Sequence, residues 1–175
     1  MLRSSIVTLV IASIAMGSNR AGAQNSVSVA GGIAVPVGSA ADALNTGYNA
    51  SFALTAKPPL ASVGIRLEGM FNSFGFKDNS VGANTQRILA GIANATLSDA
   101  STPLRSFYLI AGIGAYNTKV IGGPPTDPNN DIGFNVGIGI TLTTGVGTFL
   151  EARYHHVPSE VSTLRLVPVT FGLKF

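Results

Sequence analysis

From Ile132 onward the chain alternates without a break. Ile132, Phe134, Val136, Ile138, Ile140 and Leu142 oppose Gly133, Asn135, Gly137, Gly139 and Thr141. A period of two marks a strand whose two faces meet different surroundings. The pattern recurs in segments of eight to fourteen residues at about 26–35, 47–56, 61–71, 86–97, 104–117, 148–155 and 163–175. In the first, Val27, Val29, Ile33 and Val35 oppose Ser28, Ala30, Gly32 and Ala34. In the last, Arg165, Val167, Val169, Phe171, Leu173 and Phe175 oppose Leu164, Leu166, Pro168, Thr170, Gly172 and Lys174. The alternation is weakest over 86–97, where either face could be the apolar one.

Turn-forming residues separate these segments. Three connections are short: KPP from Lys57, SDASTP from Ser98 and TTGVG from Thr143. Three are longer and polar or rich in small residues: 36–46, 72–85 and 118–131. The connection 156–162 is intermediate in length. Eight strands with alternating short and long connections predict an all-β, eight-stranded antiparallel up-and-down transmembrane β-barrel, with short turns on one side of the membrane and longer loops on the other. The last strand is expected to close against the first. Pro168 removes one ladder donor there, so a bulge or local irregularity is expected.

Composition sharpens this. Charged residues make up only 11% and glycine 21 of 175 residues, yet no segment after residue 23 approaches the 18 consecutive apolar residues of a spanning helix. A barrel resolves the conflict by spreading its apolar surface over alternate positions of many strands. A soluble sandwich would need a more charged outer face than Gly, Asn, Ser and Thr supply. Gly32, Gly64, Gly112, Gly114, Gly133, Gly137, Gly139 and Gly172 all share the non-aliphatic face, where they leave room for larger neighbours inside a narrow cylinder.

Residues 1–23 read as a signal peptide: Met1-Leu2-Arg3, an apolar run from Ile6 to Met16, and Ala21-Gly22-Ala23 before Gln24. Cleavage is expected between Ala23 and Gln24, leaving 24–175 as the barrel domain. Arg3 and Arg20 fall within the leader, so nine basic and eight acidic residues remain. No clustered basic patch points to nucleic acid. The absence of cysteine excludes disulfides.

Arg66 and Glu68 share the inner face of one strand, and Glu151 and Arg153 share that of another. Charges inside a narrow barrel must be paired, because burying one alone costs several kcal/mol. These four are expected to form a lumen charge network that plugs the barrel; an ion or proton path, or a carboxylate pair doing acid/base work, is the alternative. Arg87 joins them if its strand faces that way. His155 and His156, with Ser159, Glu160 and Ser162 nearby, raise hydrolase chemistry. Adjacent strand residues point to opposite faces, however, and no nucleophile motif accompanies them. A pair of rim histidines is expected instead, with no catalytic residues, metal or cofactor. Tyr48, Phe71, Phe107, Phe134, Tyr154, Phe171 and Phe175 are expected to form interfacial girdles. Arg165 should reach the interface on the loop side, within reach of lipopolysaccharide phosphates.

FYLIAGIGAY (Phe107–Tyr116), GFNVGIGI (Gly133–Ile140), FLEARYHH (Phe149–His156) and VPVTFGLKF (Val167–Phe175) resemble the outer-membrane protein β-barrel family, the small eight-stranded barrels of OmpA/OmpX type. The resemblance is close over 104–175 and looser before it. It implies the cell outer membrane as location. It also implies Phe171, Leu173 and Phe175 as an assembly signal read by the barrel-assembly machinery. The function expected is a monomeric, non-enzymatic barrel, structural or interacting through its external loops, among outer-membrane lipids and lipopolysaccharide. A lipid A-modifying enzyme and a small pore are the alternatives.

Overall fold

Period-two alternation produces long two-faced strands that must pair on both edges, and in a computed structural model of the chain they do so by closing on themselves. The structure describes residues 24–58, 61–78, 85–99, 105–122, 128–144, 146–159 and 163–175. The strands are β1 (Gln24–Pro36), β2 (Gly47–Lys57), β3 (Val63–Gly75), β4 (Thr85–Ser98), β5 (Arg105–Ile121), β6 (Asn129–Thr144), β7 (Val146–Val157) and β8 (Leu164–Lys174), with one short helix, α1 (Ser39–Ala43). Each strand pairs antiparallel with its sequence neighbours, and β1 pairs with β8 to close the barrel. Residues 1–23, including the expected cleavage residue Ala23, lie outside the described residues; Gln24 opens β1.

The apolar face points outward. Ile132, Ile113 and Ile138 are 70%, 66% and 63% exposed, whereas the opposite positions are buried or half-buried. Every apolar face assigned from the alternation has this orientation. In β4 the ambiguity resolves with Ile88, Ala90, Ile92, Asn94 and Thr96 inside and Leu89 and Leu97 outside. Arg87 therefore faces outward. It stands opposite Lys119 at the end of the barrel where the long connections lie, away from the lumen charges.

Several element ends differ from the alternation-based bounds. β3 runs on to Gly75 because Asn72 and Phe74 keep the inward phase and are fully buried. β5 continues to Ile121 and β6 starts at Asn129, which shortens their connection. The first connection is not all loop. It holds α1, whose Ala40, followed by Leu44, is buried, and Leu44 bridges to Phe76. Pro168 produces no bulge. The β7–β8 register is the same on both sides of it, but Arg153 and Tyr154 lack ladder partners there. The missing donor is thus absorbed as a two-residue gap.

Candidate functional site

Among the described residues, buried polar side chains converge in the barrel interior, which is layered. The middle layer holds the four charges. Arg66 Nη1 donates to Glu151 Oε2 at 2.7 Å, and Arg153 Nε donates to Glu151 Oε1 at 2.8 Å. Arg153 grips Glu68 with both terminal nitrogens, Nη1 reaching Oε2 at 2.8 Å. The chain Arg66–Glu151–Arg153–Glu68 is therefore continuous, and its formal charges cancel. Neutral groups complete it. Tyr108 donates its hydroxyl to Glu151 at 2.6 Å, Asn94 donates to Glu68 at 3.4 Å, and Asn135 donates to Asn94 at 3.0 Å. The Arg66 guanidinium also lies over the rings of Tyr108 and Phe149, 5.5 and 5.7 Å from their centroids. A bidentate Arg–carboxylate contact is the strongest form such a pair takes, and burial removes the solvent screening that weakens surface pairs.

Glycines make this layer possible. A Cβ on Gly139 would overlap the Tyr108 ring, one on Gly172 the Phe149 ring, and one on Gly137 the Arg153 stem. Tyr108, Phe149 and Arg153 thus each lie over a glycine of the neighbouring strand, whose flat wall is the space the side chain occupies.

Above the charges, toward the long connections, the lumen turns apolar. Ala34, Met70, Phe74, Ile88, Ile92, Tyr116, Val157 and Leu166 pack as one cluster, and Ala40 and Leu44 lie on it from the first connection. That connection is held down by Lys77, whose amine donates to the Ala41 carbonyl at 2.6 Å and whose backbone N–H donates to Ala43. This apolar layer was not legible in the alternation, which assigns aliphatic residues to the outer face. The signal was present in β4, apolar on both faces, and in Leu164 and Leu166 of β8.

The histidines separate as strand geometry requires. His155 points inward, is fully buried and shares a 2.8 Å hydrogen bond with the Tyr116 hydroxyl through Nδ1. It is therefore a lumen residue, not a rim residue. His156 points outward and joins the rings of Phe134 and Tyr154, 5.0 and 6.3 Å away. Ser159 accepts a hydrogen bond from the Asn129 side-chain amide at 2.7 Å, its partner among the described residues. Glu160 and Ser162 lie outside the described residues. Among the described residues no group of three or more His, Cys, Asp or Glu could hold a metal ion.

The outer aromatics fall into two bands. Tyr48, Phe71, Phe134 and Tyr154 lie toward the long connections, and Phe107, Phe171 and Phe175 toward the short ones, all on the outward face. Of the expected assembly signal, Phe171 and Phe175 are the more exposed, at 57% and 66%, with Leu173 between them on the same face.

No protein-family model matches the sequence, and no curated protein matches it. Solved structures do match the fold. Neisserial surface protein A aligns over 87% of this chain and 97% of its own, with a TM-score of 0.65 and 16% identity. The N-terminal β-barrel domain of Pseudomonas aeruginosa OprF aligns over 87% of this chain and 99% of its own, with a TM-score of 0.53 and 16% identity. With its closed antiparallel sheet and outward apolar band, the chain has the fold of the small eight-stranded outer-membrane β-barrels.

Proposed function

We propose that this chain is an integral outer-membrane barrel, not an enzyme, which acts as a structural or interacting element through its long external loops. The observation that carries this reading is the filled interior. A neutral, hydrogen-bonded charge layer lies beneath an apolar layer that is itself covered by the first long connection. A lumen filled in this way acts as a plug, and function then falls to the outer surface. The outward apolar side chains support membrane embedding, since each one buried in lipid instead of water contributes about 1.5–3 kcal/mol. Arg87 and Lys119 face outward, opposite each other near the long-connection end, and support contact with lipopolysaccharide phosphates at that interface. Arg165, opposite His156 in register, instead packs against Gly38 of the first connection with its Nε buried.

On this reading residues 1–23 are removed on export, and the terminal strand with Phe171, Leu173 and Phe175 is read by the barrel-assembly machinery. The barrel is a monomer that needs no cofactor. The test is reconstitution of the mature protein into planar bilayers, alongside lipopolysaccharide analysis of cells with and without it. The reading expects no stable conductance and an unchanged acyl profile. Discrete channel steps would establish a pore instead, and an altered acyl profile would establish an enzyme.

A further inference from the structure

The lumen rim on the short-turn side carries two lysines that no acidic side chain among the described residues pairs with. Lys57 ends β2, Lys174 ends β8, and β1 runs between those two strands. Both lysines have the inward phase. The Cβ of Lys57 lies 3.4 Å from where a Cβ on inward Gly64 would stand, and the Cβ of Lys174 lies 3.4 Å from the same point on Gly147. Register completes the patch. Arg66 is opposite Thr55, Thr55 is opposite Ser26, and Ser28 is opposite Lys174. Four neighbouring strands thus place three cations and three hydroxyls on one continuous inner wall.

Only one of these cations is matched. Arg66 gives Nη1 to Glu151, and the four-charge network is already neutral without the lysines. Among the described residues neither lysine has an ion pair or a side-chain hydrogen bond. Asp99, the acidic side chain described at this end, lies in the β4–β5 connection on the far side of the barrel. Two donors on the wall are also unfilled: the Ser26 hydroxyl and Arg66 Nε are buried without a protein partner. Unpaired like charges held near one another repel, while a buried donor left unsatisfied costs about 1–3 kcal/mol. A single multiply charged oxyanion answers both deficits. It neutralises the lysines and accepts hydrogen bonds from the hydroxyl and guanidinium donors. Lysine suits phosphate as a mobile point charge.

We propose that the turn-side mouth of the lumen, built from Lys57, Lys174, Arg66, Ser26, Ser28 and Thr55, is a binding site for a soluble phosphate-bearing small molecule. The site opens away from the long loops and inside the barrel wall, so it is separate from the outward cations that face lipid. It is independent of whether the loops bind a partner.

Inorganic phosphate is the probe, titrated into the folded mature protein in a maltoside micelle and followed by amide NMR. Shifts are expected at the turn-side ends of β1, β2 and β8, around Ser26, Lys57 and Lys174. The double variant Lys57→Gln/Lys174→Gln should weaken binding at least tenfold, whereas Lys57→Arg/Lys174→Arg should hold it within about threefold. Arg87→Gln/Lys119→Gln, at the opposite end, should leave it unchanged. Heat-modifiable gel mobility confirms that each variant is folded. Three results would overturn the proposal: no turn-side shift with phosphate, equal affinity in the glutamine double variant, or shifts that appear only with phosphatidylglycerol nanodiscs and never with free phosphate.

Discussion

Replacing Glu151 by glutamine removes the carboxylate that three groups share: Arg66, Arg153 and the Tyr108 hydroxyl. At about 4 Å between charge centres and an effective dielectric near 20, each ion contact is worth roughly 4 kcal/mol. Glu151 makes two of them, and losing it also relieves its own desolvation of several kcal/mol. What remains is a buried charge without compensation, because two arginines then face Glu68 alone. The net cost expected is about 3–5 kcal/mol. The chain contains no tryptophan, so the assay is urea unfolding in detergent micelles followed by far-UV circular dichroism and by the fraction of heat-modifiable species on gels. Adding Arg66→Gln to Glu151→Gln restores neutrality and should recover more than half of that loss, giving a coupling energy above about 1 kcal/mol. A single variant costing less than about 1 kcal/mol, or strictly additive losses, would refute the idea that this layer stands on paired charge.

The glycine contacts give a paired forecast: Gly139→Val should cost at least about 1–3 kcal/mol or block folding by overlapping Tyr108, whereas Gly69→Ala, which meets nothing within 4 Å on the outer face, should be neutral or gain about 0.5–1 kcal/mol in the same urea assay. Leu67→Arg, on the outward face near mid-strand, should cost about 2–4 kcal/mol in lipid vesicles if the barrel spans a membrane, and no loss would argue against embedding. Tyr116→Phe strips the partner from His155 Nδ1 and should destabilise by about 1–3 kcal/mol, again read by urea unfolding. Deleting Phe175 should lower the amount inserted in cells far more than it lowers the unfolding midpoint of the purified barrel; equal effects would make the residue a structural one.

Most of the fold was legible because a membrane barrel writes its architecture in the simplest code a strand has. β6 shows it in full, with apolar residues at every even position from Ile132 to Leu142 and small or polar ones between. The charge network was legible for the same reason. The i, i+2 spacing of Arg66 with Glu68 and of Glu151 with Arg153 sets all four on the inner face, and pairing is the only cheap way to bury them. The code failed where both faces are apolar. In β4, inward Ile88 and Ile92 and outward Leu89 and Leu97 look alike in sequence, which hid both the orientation of Arg87 and the apolar upper layer. It also failed where tertiary contacts extend an element through polar residues. Asn72 belongs to β3 because its side chain accepts from Asn49 at 2.7 Å across the sheet. The helix α1 has five residues and no side-chain cap, so no local signal announces it; Ala40, and Leu44 just beyond it, are held by burial against the lumen cluster.

A membrane barrel with this orientation turns one face of the sheet to lipid and the other to the lumen. Because the chain has no cysteine, single cysteines can be placed without background and labelled with an environment-sensitive fluorophore. Labels at Val27, Ile65, Leu109, Val136 and Leu150, one on each of five strands, should all be quenched by brominated lipid acyl chains in reconstituted membranes. Labels at the neighbouring inward positions Ser28 and Thr96 should not. Strong quenching confined to the outward set is the predicted result. Outward labels that report water, or inward ones that report lipid, would contradict a membrane barrel with this orientation.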